Sequence, residues 1–462
     1  MLGIFGLVIS LLALMYFAYK GINVLVLAPI CALAAVLFQP EIYDPATQGI
    51  TIAFYTQVFM SALGKYVVLY FPVFLLGAIF GKLMNDSYAA EVIGETISKK
   101  VGSRHAILAT VLACAILTYG GVSLFVVAFC VYPISVSLFA QAGIERRFIP
   151  GAIALGSFTF TMTALPGTPA IQNAIPMPYF GTTAFAAPGL GIIAGLIMFG
   201  VGMLWLNYNS GKTRVAVMSA PELGSFEKRP SFMLAMIPLI IVIVSNYLFS
   251  QIIIPGWNAE FLSQPKFGGI ELKSVKGLWA IIISLTIAIA FILLFLRKYN
   301  KKTIESLNEG TMGSLLPIFN TSSEVGYGAV IASLASFALL KEAVMGISPG
   351  NPLISEAVAI NVLAGITGSA SGGMSIGLEV LGGRYLELAQ QMNINPELLH
   401  RIASLSSGGF DTLPHNGAVI SLLTICGLTH KESYLDIFMT AVAIPVLATI
   451  TVITLGSMFG SF

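Results

Sequence analysis

The chain reads as an all-α polytopic membrane protein made of two inverted-topology repeats, each with about five spans and one re-entrant helical hairpin. Three observations predict this class. The 462 residues are 56% hydrophobic and 10% charged, with a mean hydropathy of +0.89, whereas a soluble domain carries about 25% charged residues. The apolar runs are of membrane length, and the basic residues gather in short runs between them, as topology signals do. Finally, a spaced pair of motifs occurs twice in the same order, which is the signature of a duplicated architecture.

The motif pair is best seen from its second copy. Gly408-Gly409-Phe410-Asp411-Thr412-Leu413-Pro414-His415-Asn416-Gly417-Ala418 sits inside an apolar run from about Leu398 to Cys426. Proline removes a backbone donor and glycine weakens helix, so the helix must unwind there. Unwound backbone at membrane depth needs protein or a watery cavity around it, which makes the stretch a binding-site candidate. Thr163-Ala164-Leu165-Pro166-Gly167-Thr168-Pro169-Ala170-Ile171 matches it at Leu-Pro and again at Ala followed by a β-branched residue. Upstream of each lies Gly-Gly-x-Ser, Gly120 to Ser123 and Gly372 to Ser375, roughly 40 to 45 residues before its Leu-Pro. Small residues and proline are common in membrane helices, but two spaced matches in one order favour duplication.

In chain order, Leu2 to Tyr19 is the first span; it lacks a basic leader and a small-residue cleavage site, and is kept as mature structure. About Ile22 to Phe38 is the second, leading to a loop without Lys or Arg over Gln39 to Asp44. The positive-inside rule places that loop and the N-terminus outside and Lys20 inside. About Val67 to Leu83 crosses inward, and Tyr88 to Ile97 is expected as a surface amphipathic helix in a basic internal segment with Lys82, Lys99, Lys100 and Arg104. Residues 105–140 form the first hairpin around Gly120-Gly121, because both flanks are basic and each arm is short for a span; two full spans with a short external turn give the same sidedness. Residues 150–177 then cross outward as the first broken helix, the uncharged Pro178 to Pro188 turn is external, and about Leu190 to Trp205 returns.

Repeat 1 thus occupies 1–210, a cytoplasmic linker 211–230, and repeat 2 231–462. The second half crosses at about Phe232 to Phe249, Leu278 to Leu296 and Leu315 to Leu340, carries a hairpin over 351–383, a broken helix over 398–426, and a last span at Ile437 to Met458. Arg297, Lys298, Lys301 and Lys302 mark an internal loop, while Lys266, Lys273 and Lys276 dissent from an external one. Five spans make an odd number of crossings, so repeat 2 inserts upside down and the C-terminus also lies outside. Inverted repeats with broken helices at the midplane are the architecture of secondary transporters.

The remaining composition excludes more than it assigns. A net charge of +2 gives no support for nucleic-acid binding. Cys31, Cys114, Cys130 and Cys426 stand singly without CxxC spacing, as buried thiols rather than a metal or disulfide framework. Four scattered histidines, with no HExxH or GxSxG, argue against an intramembrane enzyme. An ion channel also breaks its helices but has no need of hydroxyl-rich tips in inverted halves. No cofactor and no metal centre are expected.

The hairpin tips together with Thr163 to Asn173 and Asp411 to Ala418, spread over nearly the whole chain, resemble the gluconate permease family of carboxylate symporters. The resemblance implies an elevator-type ion transporter in which two hairpin tips and two unwound helices surround one substrate, in a transport domain carried by a dimeric scaffold. Around Pro166 the sequence departs from gluconate-type members, which favours a smaller hydroxy acid such as 3-hydroxybutyrate.

The residues give the same site on physical grounds. Helix N-termini and unwound turns converging on one point supply free N–H donors and about half a positive charge per helix end, suited to a carboxylate. Candidate substrate contacts are Gly120, Gly121, Ser123, Thr163, Pro166, Gly167, Thr168, Asn173, Gly372, Gly373, Ser375, Thr412, His415 and Asn416; for any single Ser or Thr the competing reading is a local bond to its own helix. A charge at mid-helix costs about 2.5 to 3.5 kcal/mol on the mildest scale, which singles out Asp411, His415 and Glu324 as candidates for the coupling proton or ion. The proton is preferred to sodium because His415 provides a second titratable group in the same break and because the resembled family is proton-coupled. The competing readings are a structural acid–histidine hydrogen bond at Asp411 and His415, and a link between scaffold and hairpin at Glu324.

Overall fold

The computed structural model describes residues 2–20, 22–39, 48–122, 124–213, 229–300, 302–337, 342, 346, 348, 351–414 and 416–462. The expected 41–47 loop, most of the 211–230 linker, Ser123 and His415 therefore lie outside the described residues. Among the described residues every regular element is a helix.

The first two helices, α1 (Leu2–Tyr19) and α2 (Val24–Leu37), pair as expected, the turn between them closed by Asn23, whose Oδ1 accepts Leu25 N at 2.9 Å. The next helix is longer than its apolar core suggested: α3 runs Ile50–Asp86 through a π turn at Phe54–Phe59. It lies along α14 (Thr303–Ser333), which likewise starts well before the expected Leu315, and the two make the most extensive helix pair in the molecule. At one end they are tied by Lys82 Nζ to Glu309 (2.7 Å) and by Ser306 Oγ donating to Asp86 (2.6 Å), which also pairs with Lys82 within α3 (3.2 Å). Such partly exposed pairs are worth about 0–1 kcal/mol each, so burial holds the rods together. A small core of Leu7, Leu27, Phe59, Tyr327 and their neighbours joins α1 and α2 to the rods, separate from the main core around the hairpins and breaks.

The first hairpin follows α4 (Ala89–Val101), which turns by 101° into the next helical stretch. Its arms are α5 (Ala106–Tyr119) and α6 (Leu124–Ala142). Gly121 has φ +97°, a left-handed conformation that glycine adopts without strain, and a Cβ there would come within 2.9 Å of Pro169 Cγ. The amphipathic segment expected on the surface is instead packed: α4 buries Ala90, Ile93 and Ile97 against α5, α6 and α12 (Phe232–Gly256), while Arg229 pairs with Glu91 (3.0 Å) and Glu95 (2.7 Å). Its apolar face meets protein, which satisfies the same periodicity as a lipid interface would.

The first broken helix consists of α7 (Ile149–Ser157), α8 (Phe160–Thr163), an irregular stretch through Pro166 and Pro169, and the short α9 (Ile171–Ala174) and α10 (Pro176–Phe180). The expected external turn after it folds back into the protein, with Thr182, Thr183, Ala184, Ala186 and Ala187 all buried before α11 (Pro188–Lys212). Beyond the linker, α12 and α13 (Leu272–Tyr299) precede α14.

In the second hairpin, α15 (Pro352–Thr367) turns at Gly368, φ +63°, and Ser369 into α16 (Ala370–Gln391). The sequence placed Gly372-Gly373 at this tip; both glycines lie instead in the first turn of α16. Ser369 Oγ accepts Gly372 N at 3.0 Å and so starts the helix early. The glycines serve close packing, since a Cβ at Gly373 would overlap the backbone of Ala364 on the other arm. The two Gly-Gly-x-Ser motifs therefore share a sequence but not a local geometry. Then α17 (Pro396–Ser407) and α18 (Gly417–Cys426) flank the second break, and α19 (His430–Phe459) closes the fold. Among the described residues five helices, α3, α11, α12, α13 and α19, are long and apolar enough to cross a membrane singly, and the bent α4–α5 pair can supply a sixth.

Candidate functional site

Both hairpins and both breaks meet at one cavity of about 30 Å³, lined by Leu124 from hairpin 1, Thr163 and Gln172 from break 1, Ala370 from hairpin 2, and Asp411 and Thr412 from break 2. Leu124, Ala370 and Ala418, which also lines it, stand in the first turns of α6, α16 and α18. Three helix N-termini thus face one space, each equivalent to about half a positive charge. Two buried acceptors beside it, Asp411 Oδ1 and Gln172 Oε1, have no hydrogen-bond partner among the described residues. An unpaired buried acceptor costs about 1–3 kcal/mol. Positive helix ends with orphaned acceptors between them suit an anion that also brings a proton donor or a cation.

Break 1 is fixed from α17 by two residues that sequence reasoning passed over. Arg401 is 0% exposed, and among the described residues no carboxylate hydrogen-bonds to it. Its Nε and Nη2 donate to Ala186 O (3.1 and 2.7 Å), Nη1 to Thr163 O (3.3 Å) and Asn173 Oδ1 (3.4 Å), and Nη2 also to Ala184 O (3.5 Å). Beside it His400 Nε2 lies 3.1 Å from Asn173 Oδ1 and Nδ1 2.6 Å from Thr182 Oγ1. Asn173 Nδ2 donates to Thr168 O (3.1 Å) and Ala184 O (2.9 Å), which leaves Oδ1 as an acceptor. His400 therefore donates from Nε2 to Asn173 Oδ1 and shares a hydrogen bond with the Thr182 hydroxyl at Nδ1. The available signal was the pair His400-Arg401 itself, two basic residues inside the apolar run from Leu398, where a charge is costly and so marks a committed position.

Further bonds fasten the rest of break 1. Tyr119 OH donates to Pro166 O (2.6 Å), Gly167 N to Ala184 O (2.8 Å), and Asn246 of α12 to Gly167 O (3.1 Å). Thr168 Oγ1 accepts Ala170 N (3.3 Å) and Ser404 Oγ donates to Thr163 O (2.9 Å).

Break 2 is tied to hairpin 2 and α19. Asn416 Oδ1 accepts Ala418 N (2.6 Å) and Val419 N (2.9 Å), capping α18, while its Nδ2 donates to Gly368 O at the hairpin tip (2.8 Å). Thr412 Oγ1 donates to Ala441 O in a π turn of α19 (2.8 Å). On the other side of hairpin 2 sits Glu324, 2% exposed at mid-α14. A Cβ at Gly372 would overlap its Oε2, and that oxygen has no partner among the described residues. Nearby, Ser375 Oγ donates to Tyr66 OH (3.3 Å) and Thr321 Oγ1 meets Ser371 Oγ (3.3 Å).

Of the residues singled out from sequence, Thr163, Asp411 and Thr412 line the cavity. Asn173, Thr168, Asn416, Pro166 and Gly167 bond the walls around it through the contacts given above. Gly120 packs on Leu239 and Gly121 on Pro169, while Gly372, Gly373 and Ser375 face α14, α15 and α3. Gln172, Leu124 and Ala370 are additions from the structure. Their roles depend on which turn of an irregular segment faces inward, and periodicity does not report that.

No protein-family model matches the chain. It is 44% identical over 480 aligned residues to the uncharacterized transporter YxjC of Bacillus subtilis, covering 98% of this chain and 99% of that protein. An uncharacterized transporter of Haemophilus influenzae is 26% identical over 347 residues, 74% of each chain. Among solved structures the fold is similar to the YdaH transporter of Alcanivorax borkumensis (TM-score 0.56, 11% identity, 90% of each chain). It is also similar to MtrF of Neisseria gonorrhoeae, described within a class of antimetabolite efflux pumps (TM-score 0.53, 13% identity, 87% of this chain and 84% of that one). At those identities the structures speak for the fold alone. Together with the apolar helices, the relatives make this an integral membrane transporter, and the chain belongs to the family of the YxjC transporter.

Proposed function

We propose that the protein is a secondary active symporter importing a small hydroxycarboxylate, such as 3-hydroxybutyrate or gluconate, together with protons. The observation that carries this reading is the cavity where three helix N-termini surround Asp411. The substrate carboxylate sits against the first turns of α6, α16 and α18, and its hydroxyl donates to Gln172 Oε1. Asp411 carries the coupling proton, which satisfies its orphaned Oδ1 and removes a negative charge that would repel the substrate. Thr163, held through its carbonyl by Arg401 and Ser404, keeps the permanent guanidinium charge just behind the cavity wall. Gly120, Gly121, Pro166, Gly167, Thr168, Asn173, Gly372, Gly373, Ser375 and Asn416 pack or bond the hairpins and breaks around it; Ser123 and His415, outside the described residues, join them as substrate contacts from their place in the two motifs.

At about 30 Å³ the cavity holds little more than water, and ligand pockets run to about 300 Å³ or more. Substrate entry therefore requires a hairpin to move. The corresponding mechanism is an elevator in a homodimer of two inverted repeats, with Glu324 holding hairpin 2 to α14. A sodium-coupled variant rests on the orphaned acceptors Asp411 Oδ1, Gln172 Oε1 and Asn361 Oδ1, all suited to a hard cation. The test is uptake of labelled 3-hydroxybutyrate and gluconate into proteoliposomes under separately imposed pH and sodium gradients. Saturable accumulation driven by an inward proton gradient is expected. Accumulation driven by sodium alone moves the coupling to the cation, and outward-only transport or none of either acid overturns the proposal.

A further inference from the structure

A further buried acid lies away from the cavity and outside every role given so far. Glu356, in α15, is 0% exposed, and neither carboxyl oxygen has a hydrogen-bond partner among the described residues. Among the described residues α16, α17, α1 and α19 pack against α15, and break 2 touches it at Gly365 and Asn361 through Phe410, Leu413 and Gly409, with Asp411 of that break turned to the cavity. From α16 it is faced by Tyr385, also 0% exposed, while Arg384 is spent on Glu387 (3.0 Å) and Glu379 on Tyr179 (3.0 Å). On α17, Arg401 and His400 are committed to break 1, and Glu397 accepts Ala187 N (3.1 Å) and Ser461 Oγ (3.2 Å). The described part of α1 offers only the exposed Tyr16, and α19 beyond its π turn, Ile444–Phe459, has no titratable side chain. The neighbouring Ser355 hydroxyl goes to Pro352 O (3.2 Å).

An ionised carboxylate with no cation and no donor in a dry interior is the most costly arrangement a side chain can adopt. A neutral acid in the same place loses only its own hydrogen bond. We propose that Glu356 is a second proton-binding site, filled while the arms of hairpin 2 are packed as they are here and emptied to water when they part. The proton is taken from water on closure and returned to it on opening, with no other bond changed. This rests on the reading of hairpin 2 as a moving gate, and the experiment separates the two claims.

Infrared difference spectra of the lipid-reconstituted full chain report protonated carboxyl groups directly. At about pH 8, far above the ordinary glutamate value of about 4.3, the wild type should show a protonated carboxyl stretch that is lost in Glu356→Gln and kept in Asp411→Asn. Tyr385→Phe should shift that band without removing it, which assigns it even if Glu356→Gln fails to fold. Transfer to heavy water should then move the band to its deuterated position, as a gate that wets the site requires. Identical carboxyl regions in wild type and Glu356→Gln, or a band unmoved by Tyr385→Phe where Glu356→Gln does not fold, overturn the protonation. A band that never exchanges keeps the neutral acid but overturns its cycling.

Discussion

Thr163 O, in the cavity wall, is held by two side chains, Ser404 Oγ at 2.9 Å and Arg401 Nη1 at 3.3 Å. That shared acceptor makes a quantitative prediction. Ser404→Ala leaves Arg401 in place and should cost the net worth of one hydrogen bond, about 0.5–1.5 kcal/mol. Arg401→Met leaves Ser404 on Thr163 and Asn173 on Ala184, so only Ala186 O loses all its side-chain donors. The cost should be about 1–3 kcal/mol for that orphaned carbonyl, lowered because an apolar side chain replaces a buried charge. In the double variant Thr163 O is orphaned as well, adding about 1–3 kcal/mol beyond the sum of the singles. The assay is reversible unfolding of the purified chain in mixed micelles, followed by far-ultraviolet circular dichroism. Additivity within about 0.5 kcal/mol would refute the shared anchor and, with it, the view that α17 positions break 1.

Gly372→Ala should force Glu324 away from hairpin 2 and cost about 1–3 kcal/mol as overpacking does, with partial rescue by Glu324→Ala; a neutral single variant would show that the contact is loose. Cysteines introduced at 212–228 and 297–302 should resist impermeant external thiol reagents, while those at 41–47 should react, and external labelling of 212–228 would reverse the assigned orientation. Cysteines at Thr182 or Ala186 should resist reagent from either side, because that turn is packed around His400 and Arg401.

Apolar run length made most helices legible, and proline with glycine made both breaks legible, because these depend on local chemistry. Pro166, Pro169 and Pro414 mark interruptions that the structure shows as irregular segments. Helix ends were less legible: α14 starts well before its apolar centre, since polar turns that pack on protein need no hydrophobicity, and α3 starts at Ile50 in an apolar stretch that Lys65 separates from the expected span. The second hairpin tip was misplaced by four residues' worth of helix, because Ser369 caps α16 and pulls Gly372 and Gly373 into its first turn. Hydroxyl and amide residues near the breaks were expected to contact substrate; Thr163 and Thr412 line the cavity, while Thr412, Asn173 and Asn416 spend their bonds on backbone. Which carbonyl a side chain reaches is settled by tertiary packing, and nothing in spacing encodes it. Arg401 shows the same limit: among the described residues its hydrogen bonds go to carbonyl oxygens, and no spacing in the sequence points to them.

The central claim is that Asp411, in the cavity shared by both hairpins and both breaks, carries the coupling proton. Asp411→Asn keeps shape and polarity while removing the titratable charge. Proteoliposomes bearing this variant, loaded with unlabelled 3-hydroxybutyrate and offered labelled substrate, should exchange it as the wild type does, yet fail to accumulate it under an inward proton gradient. Concentrative uptake by Asp411→Asn with an unchanged response to pH would contradict the account and move the coupling to Glu324.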